Sequence, residues 1–295
     1  EYIKKHNVTV ISGSPVLKLH HNDDIITSAE IRDGQIIRAR SFILAMGSTS
    51  HPETGSTGDW YPWLRAIGHS VSNPQCALVP IAVKEKAKIK QAAGVAVPNA
   101  KITLFQNEVK QTQQKGKILF THVGLSGPCI LNMSREIGEL LKYGNVVIEI
   151  DLLSYMGYEK ANEALQVAIK KHSNKKIKNA LQDMLAPALI PMILDTAQID
   201  SEMFCHRITR VARINLMKTL KHLRFEVSHL LGVDKAVVTS GGVALTEIDF
   251  KTMRSLKCKN LFLIGDILDI DRPSGGYSLQ LCWTTGFVAG NCAVE

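Results

Sequence analysis

The first forty residues alternate short apolar runs with turn-forming residues. Runs of this length, bounded by Gly, Asn, Asp and Pro, are typical of β-strands. The Asp33-Gly34 pair is a hairpin signal, because a two-residue turn needs residues that tolerate positive φ. The pattern predicts strands over Val8–Ile11, Val16–Leu19, Ile25–Ile31 and Ile36–Ala39.

A compact apolar strand follows, predicted over Ser41–Met46, and it leads into a loop rich in Gly, Ser and Thr from Gly47 to Asp59. A short helix is predicted over Trp60–Gly68, because a glycine after an apolar stretch commonly ends a helix.

The middle of the chain changes in texture twice. Cys76–Asp151 is rich in β-prone residues, with one predicted helix over Pro128–Leu141. Tyr158–Leu223 has few glycines and many Ala, Leu, Lys and Met, which predicts helices. Strands are expected again at Phe225–Val227 and Ala236–Thr239.

The chain closes with a predicted strand (Leu261–Ile264), a loop and an apolar helix (Tyr277–Ala293). The order is strands, a glycine loop, strands, helices, and a final strand–loop–helix unit. This order predicts an α/β domain whose two halves lie apart in sequence, with a β-rich and helical insertion between them, so that the whole is α+β.

Composition restricts the class of protein. Hydrophobic residues make up 45% of the 295 residues and charged residues 21%, which is typical of a chain with a sizeable core. The six cysteines form no C-x-x-C pair, which disfavours a zinc or thioredoxin-type site and predicts reduced, mostly buried thiols. No apolar run reaches ~18 residues and no signal-peptide region is present, so we expect a cytoplasmic protein without a membrane partner.

The net charge of +8 is compatible with a nucleic-acid partner or with an anionic cofactor or substrate. The basic residues are scattered, and the densest run lies on a predicted helix. A solvated helical face therefore explains this run better than a nucleic-acid site does, and we expect no nucleic-acid partner. The run comprises Lys170, Lys171, Lys175, Lys176 and Lys178.

Three glycine-containing segments carry candidate chemistry. In the first, the strand ending at Ala45-Met46-Gly47 runs into small residues, whose backbone can approach a phosphate or ribose closely. In the second, Gly241-Gly242 follow a β-branched strand and allow close approach to a flat ligand. Taken alone, the first is equally a surface turn, and the second is better explained as a β-bulge.

The third segment is the most informative. Four apolar residues end in Gly265-Asp266, and a carboxylate at the end of a parallel strand can accept hydrogen bonds from sugar or polyol hydroxyls. Gly275-Gly276 then open the last helix, whose free N–H groups favour an electron-rich ligand edge. The acids Asp266, Asp269 and Asp271 lack the remaining ligands of a calcium loop, which argues against a metal site.

Together these segments resemble the bacterial HI0933-like flavoproteins, also described as BaiN-type or aminoacetone-oxidase-like FAD-dependent oxidoreductases. The resemblance extends over nearly the whole chain and rests on motifs in the same order. They are Ala45-Met46-Gly47 with Gly55-Ser-Thr-Gly-Asp59, Gly68-His69, Leu78-Val-Pro80, Thr121-His-Val-Gly-Leu-Ser-Gly-Pro128, Thr239-Ser-Gly-Gly-Val243, Thr252-Met-Arg-Ser255, and Gly265-Asp-Ile-Leu-Asp269 with Gly275-Gly-Tyr277.

The resemblance implies a two-dinucleotide-binding-type FAD domain with a β-barrel-like insert and a small helical insert. The FAD domain is expected over residues 1–74 and 250–295, the barrel-like insert over 75–156 and 224–249, and the helical insert over 157–223. It implies a small organic substrate, with NAD(P)H or that substrate reducing the flavin.

The resemblance also assigns cofactor-binding roles to individual residues. Ala45, Met46 and Gly47 lie near the adenosine and pyrophosphate half of FAD. Gly265 and Asp266 hold the ribityl chain, and Gly241 and Gly242 lie near the ring. The start of the last helix caps the pyrimidine edge of the ring through Gly275, Gly276, Tyr277, Ser278 and Leu279.

This chain departs from the family pattern in two respects. Residues 1–295 contain no G-x-G-x-x-G, the motif whose helix N-terminus binds the pyrophosphate in the family. Ser278 stands where the family usually has Asn. The missing motif supports an alternative hypothesis, in which this chain is a truncated scaffold or binding module that does not hold FAD by itself.

Two side chains outside the glycine segments are also candidates. His122, before Gly124-Leu-Ser-Gly127, is able to exchange protons with a substrate, although a histidine beside an apolar strand is more often structural. Cys282 is a candidate redox thiol, but its position within an apolar helix is more typical of a core residue.

Overall fold

The computed structural model describes residues 2–50, 52–232 and 238–294. Its helices are α1 (Tyr2–Lys5), α2 (Trp60–Ala66), α3 (Lys86–Lys90), α4 (Pro128–Leu140), α5 (Tyr158–Lys171), α6 (Ile177–Leu181), α7 (Ile190–Thr196), α8 (Arg210–Lys221) and α9 (Tyr277–Cys292). Its strands are β1 (Val16–Asn22), β2 (Ile25–Ile31), β3 (Ile36–Ile37), β4 (Phe42–Leu44), β5 (Val71–Ala77), β6 (Ile81–Val83), β7 (Ala96–Gln106), β8 (Val109–Phe120), β9 (Gly124–Ser126), β10 (Val146–Asp151), β11 (Leu223–Leu230), β12 (Val238–Val243), β13 (Ile248–Asp249), β14 (Arg254–Ser255) and β15 (Leu261–Leu263).

Contacts divide the described residues into two compact units. The first unit falls within Glu1–Gln75, Thr239–Arg272 and Gly276–Glu295, and the second within Cys76–Val238 and Pro273–Gly275. The first unit therefore combines both ends of the chain, as the order of elements predicts. Residues 239–249, which we expected in the barrel insert, belong by their contacts to the first unit.

The first unit contains three sheets. An antiparallel sheet joins β1, β2 and β3, with the predicted Asp33-Gly34 turn between the last two strands. A second sheet has the order β13-β14-β15-β4, in which β15 and β4 run parallel. A third pairs β12 with β5. The strand predicted at Val8–Ile11 does not form, and its apolar side chains are exposed, because no neighbouring strand pairs with it among the described residues.

The second unit is built on a closed antiparallel barrel with the order β10-β11-β6-β9-β8-β7. Alternate residues of β10, such as Val146, Ile148 and Ile150, point inward and are fully buried. The helices α5 to α8 share one hydrophobic core with this barrel. The predicted barrel and the mixed α and β class are therefore confirmed. The predicted strand over Ala236–Thr239 lies partly outside the described residues.

His69 joins three segments of the first unit through one buried side chain. Its Nδ1 lies 2.8 Å from Glu247 Oε2, and its Nε2 lies 2.8 Å from Ser255 Oγ. Because a carboxylate only accepts hydrogen bonds, Nδ1 donates to Glu247. Ser255 Oγ already accepts from the N–H groups of Lys257 and Cys258, so its own hydrogen is available for Nε2. Neutral His69 satisfies both partners.

Burial lowers the pKa of His69, although Glu247 acts in the opposite direction by favouring the cation. In the unfolded chain the pKa returns to about 6.5, so the unfolded state binds more protons below that pH. The contribution of neutral His69 to stability is therefore complete above about pH 6.5. It is lost as the pH falls from there through the lowered pKa.

We predict that the first unit of the wild-type protein is less stable at pH 5.5 than at pH 7.5, and that His69→Gln removes much of this difference. The variant should also lose about 1–3 kcal/mol at pH 7.5, because buried partners of His69 are left without hydrogen bonds. Urea unfolding followed by tryptophan fluorescence tests this, because Trp60, Trp63 and Trp283 all lie in the first unit.

His122→Gln is the control, because His122 is exposed and forms no hydrogen bond to another described residue. It should unfold with the pH dependence of the wild type. An equal pH dependence in His69→Gln and wild type would contradict the assignment.

Candidate functional site

The parallel pair of strands in the first unit brings two predicted cofactor segments to one sheet edge. Leu44 of β4 pairs with Leu263 of β15, and Ile264 N donates to Leu44 O at 3.2 Å. Ala45, Met46 and Gly47 follow β4 directly, and Gly265 and Asp266 follow β15. Because carboxyl ends of parallel strands meet at one edge, these residues share the position where α/β sheets bind ligands.

The loop after β4 is held by buried contacts. The indole Nε1 of the fully buried Trp60 donates to Gly47 O at 3.0 Å. Gly47 has a φ of 71°, and a Cβ on it would lie 2.7 Å from Ser56 Oγ. Thr49 N donates to Thr239 Oγ1 at 3.4 Å, which connects this loop to β12. Trp60 therefore packs the loop rather than facing a ligand.

The glycines of β12 lie against the segment that follows Asp266. Gly241 N donates to Asp269 Oδ1 at 3.2 Å, and Asp269 N donates to Val243 O at 3.0 Å. A Cβ on Gly242 would lie only 2.5 Å from Ile267 O, and Gly242 has a φ of 137°. The close approach at these glycines is thus to protein backbone. Asp269 has a structural role here, because its carboxylate orients β12.

The start of α9 lies at the same segment. Gly276 is the N-cap, with a φ of 91°, and a Cβ added there would have no atom within 4 Å. Gln280 N donates to Gly276 O at 3.1 Å, so the N–H groups of Tyr277, Ser278 and Leu279 precede the first helical bond. Gly265 N donates to Thr285 Oγ1 at 3.0 Å, which ties α9 to the end of β15.

Gly275, with a φ of 116°, adjoins Gly276 in sequence and belongs by its contacts to the second unit. The cofactor role predicted for it stays a prediction, as do the roles of the other predicted site residues. The structure nevertheless assembles the three glycine segments and the first turn of α9 within the first unit.

Asp266 forms an ion pair with Arg272, whose side chain is only 6% exposed. Burial raises the pKa of Asp266, while the nearby Arg272 acts to lower it. Arg272 Nε donates to Ser278 Oγ at 2.7 Å and Nη1 donates to Ile270 O at 2.6 Å. Its Nη2 contacts the Asp266 carboxylate but lacks hydrogen-bond geometry, and it is buried without an acceptor among the described residues.

These features fit the ribityl and ring portion of FAD. A buried donor without an acceptor costs about 1–3 kcal/mol, and an electronegative ligand atom would remove that cost. The first turn of α9 offers further free N–H groups, and Asp266 can accept from hydroxyls. Arg272 is a site residue that sequence reasoning missed, because one arginine in a loop forms no recognisable pattern.

The remaining candidates have less support. His122 is exposed in the second unit, in the bend before β9, so its catalytic role stays a prediction. Cys282 Sγ lies 4.0 Å from Asp266 Oδ1, and burial raises the pKa of its thiol, which disfavours a reactive thiolate. Burial likewise raises the pKa of Cys129, to about 11.

Two further features are absent from residues 2–50, 52–232 and 238–294. No group of three or more His, Cys, Asp or Glu side chains there is arranged to hold a metal ion. No helix in the same ranges has both the length and the apolar character needed to cross a membrane.

Comparison with known proteins gives one family match. Residues 1–292 match the HI0933-like protein Rossmann domain. The chain is similar to the 3-dehydro-bile acid delta(4,6)-reductase of Clostridium scindens, with 29% identity over 99% of this chain and 71% of the relative.

It is also similar to two proteins named ribosomal RNA dihydrouridine synthase. The one from Haemophilus influenzae is 30% identical over 88% of this chain and 60% of the relative. The one from Escherichia coli is 27% identical over 96% of this chain and 68% of the relative. The matched stretches thus span between 60% and 71% of the length of these three relatives.

We predict that Gly242→Ala destabilises the first unit by about 1–3 kcal/mol, because an alanine at this φ is strained and its Cβ meets the Ile267 carbonyl. Gly290→Ala is the matched control. Gly290 lies within α9 with no atom within 4 Å of an added Cβ, so alanine there should be neutral or stabilising. Urea unfolding followed by tryptophan fluorescence measures both, and equal effects would contradict the prediction.

Proposed function

The chain belongs to the HI0933-like family, and from that premise we propose that the protein is an FAD-dependent oxidoreductase that reduces a carbon–carbon double bond. The observation that carries the proposal is the convergence of three glycine segments with Asp266 at the carboxyl ends of β4 and β15. Small residues at that sheet edge leave backbone N–H groups close to a flat, polar cofactor.

The chain's own residues bind and orient the cofactor. Asp266 accepts hydrogen bonds from the ribityl hydroxyls, and Gly47 allows close approach of the loop after β4. The free N–H groups of Tyr277 to Leu279 face the pyrimidine edge, where the partial positive charge of the helix start favours negative charge. When bound, FAD supplies the two-electron redox chemistry.

The proposed reaction class comes from the names of the relatives. A delta(4,6)-reductase removes double bonds from its substrate, and a dihydrouridine synthase yields a product with two added hydrogens. Both names describe reduction of a carbon–carbon double bond. We propose a small organic substrate with such a bond, NAD(P)H or a second substrate molecule as reductant, and a cytoplasmic location.

Ribosomal RNA is the second candidate substrate, because two relatives act on it by name and the net charge is +8. The lysine run on α5 and α6 gives this candidate little support. Lys171 pairs with Asp183, and Lys176 and Lys178 pair with Glu202, so acids offset much of its charge. Steep salt dependence of RNA binding would favour this candidate.

We predict that the protein, expressed as its gene encodes it, binds FAD, and that NADH or NADPH bleaches the flavin absorbance. Asp266→Ala should weaken FAD binding at least tenfold, because the ribityl hydroxyls lose an acceptor. Asp195→Ala is the control, since Asp195 is exposed on α7 of the second unit, and it should bind like the wild type. Flavin fluorescence quenching measures both affinities.

A correctly folded full-length protein without flavin would rule out the enzyme and leave the truncated scaffold as the explanation. Titration of FAD into residues 1–295 alone tests the scaffold hypothesis separately. Sub-micromolar binding by that fragment would contradict it, whereas weak binding is expected because no G-x-G-x-x-G is present.

A further inference from the structure

We propose that Arg272 is a cofactor-binding residue that donates from its unpaired Nη2 to FAD and favours the reduced over the oxidised flavin. The inference rests on the proposed function, and it assigns a role to a residue outside the glycine segments. It depends on three features of the first unit: the buried guanidinium, the carboxylate of Asp266, and the first turn of α9.

The guanidinium is fixed in place by two of its three nitrogens. Nε donates to Ser278 Oγ at 2.7 Å and Nη1 donates to Ile270 O at 2.6 Å. These bonds come from the first turn of α9 and from the loop after Asp266, so the planar fork cannot turn freely. Arg272 is therefore held rigidly at the segment where the ring edge of FAD is proposed to bind.

The third nitrogen has no acceptor. Nη2 is buried and contacts Asp266 without hydrogen-bond geometry, so its hydrogens have no partner among the described residues. An unpaired buried donor is costly, and charged donors form stronger hydrogen bonds than neutral ones. An electronegative atom of the ligand would pair with Nη2 and remove this cost.

The charge of Arg272 also compensates Asp266. A buried carboxylate beside the flavin opposes the negative charge that builds on the ring during reduction. Arg272 cancels that effect and adds a donor on the same side. Its loss would leave Asp266 without a cation and remove a donor, and both changes weaken binding of reduced FAD more than binding of oxidised FAD.

The experiment compares full-length wild type, Arg272→Gln and Arg272→Lys by flavin fluorescence and by spectroelectrochemical titration. Arg272→Gln should bind reduced FAD at least tenfold more weakly relative to oxidised FAD, which lowers the two-electron midpoint potential by ~30 mV. Arg272→Lys keeps the charge and should lose less than half of that shift. Circular dichroism checks that each variant is folded.

Arg254→Gln is the matched control. Arg254 lies on β14 of the same unit, over the ring of Phe262, and also has a buried Nε without a partner. Its loss should leave the potential unchanged. An Arg272→Gln protein that holds FAD at the wild-type potential would overturn the role of Arg272 alone.

If Arg272→Gln does not fold, Arg272→Met, which matches the side chain in length without its charge, should show the same lowered potential. An unchanged potential in Arg272→Met would equally overturn the proposal. Wild type that binds no FAD would instead overturn the proposed function, and the role of Arg272 with it.

Discussion

The parallel pairing of β4 with β15 is the constraint on which the candidate site depends. These strands lie near opposite ends of the sequence, yet three consecutive residue pairs place them side by side. Parallel strands cannot be joined by a tight turn, so a long connection must separate them. Here the connection includes the barrel and its helices. The pairing brings Gly47 and Asp266, which follow the two strands, to one edge of the sheet.

A second set of contacts keeps this edge rigid. His69 bonds to Glu247 and Ser255, and Ala244 N donates to Ser70 O, so the residues after β12 are fixed to the loop after α2. This explains why Gly68-His69 and Thr252-Met-Arg-Ser255 belong to the same set of motifs. They are parts of one buried hydrogen-bond network, and that network orients the strand carrying Gly241.

Much of this could be predicted from sequence, since local signals carry it. Asp33-Gly34 predicts its turn, and the apolar runs Phe42–Leu44 and Leu261–Leu263 predict buried strands. Val8–Ile11 has the same β-prone character but remains outside any strand, because sheet formation requires a partner that local sequence does not specify. Arg272 was missed for a related reason: its importance comes from burial next to Asp266, which only the folded chain produces.

The relatives by name act on a bile acid and on ribosomal RNA, two substrates with little in common. A fold shared by such enzymes cannot itself select the substrate. The backbone-lined edge at Gly47, Gly242 and Gly276 offers close approach and N–H groups, which suit one cofactor in many enzymes. Side chains that differ among relatives must then adjust the chemistry. Arg272 and its partner Ser278, which replaces the usual Asn, are suited to that role because they adjoin Asp266 without forming the glycine scaffold.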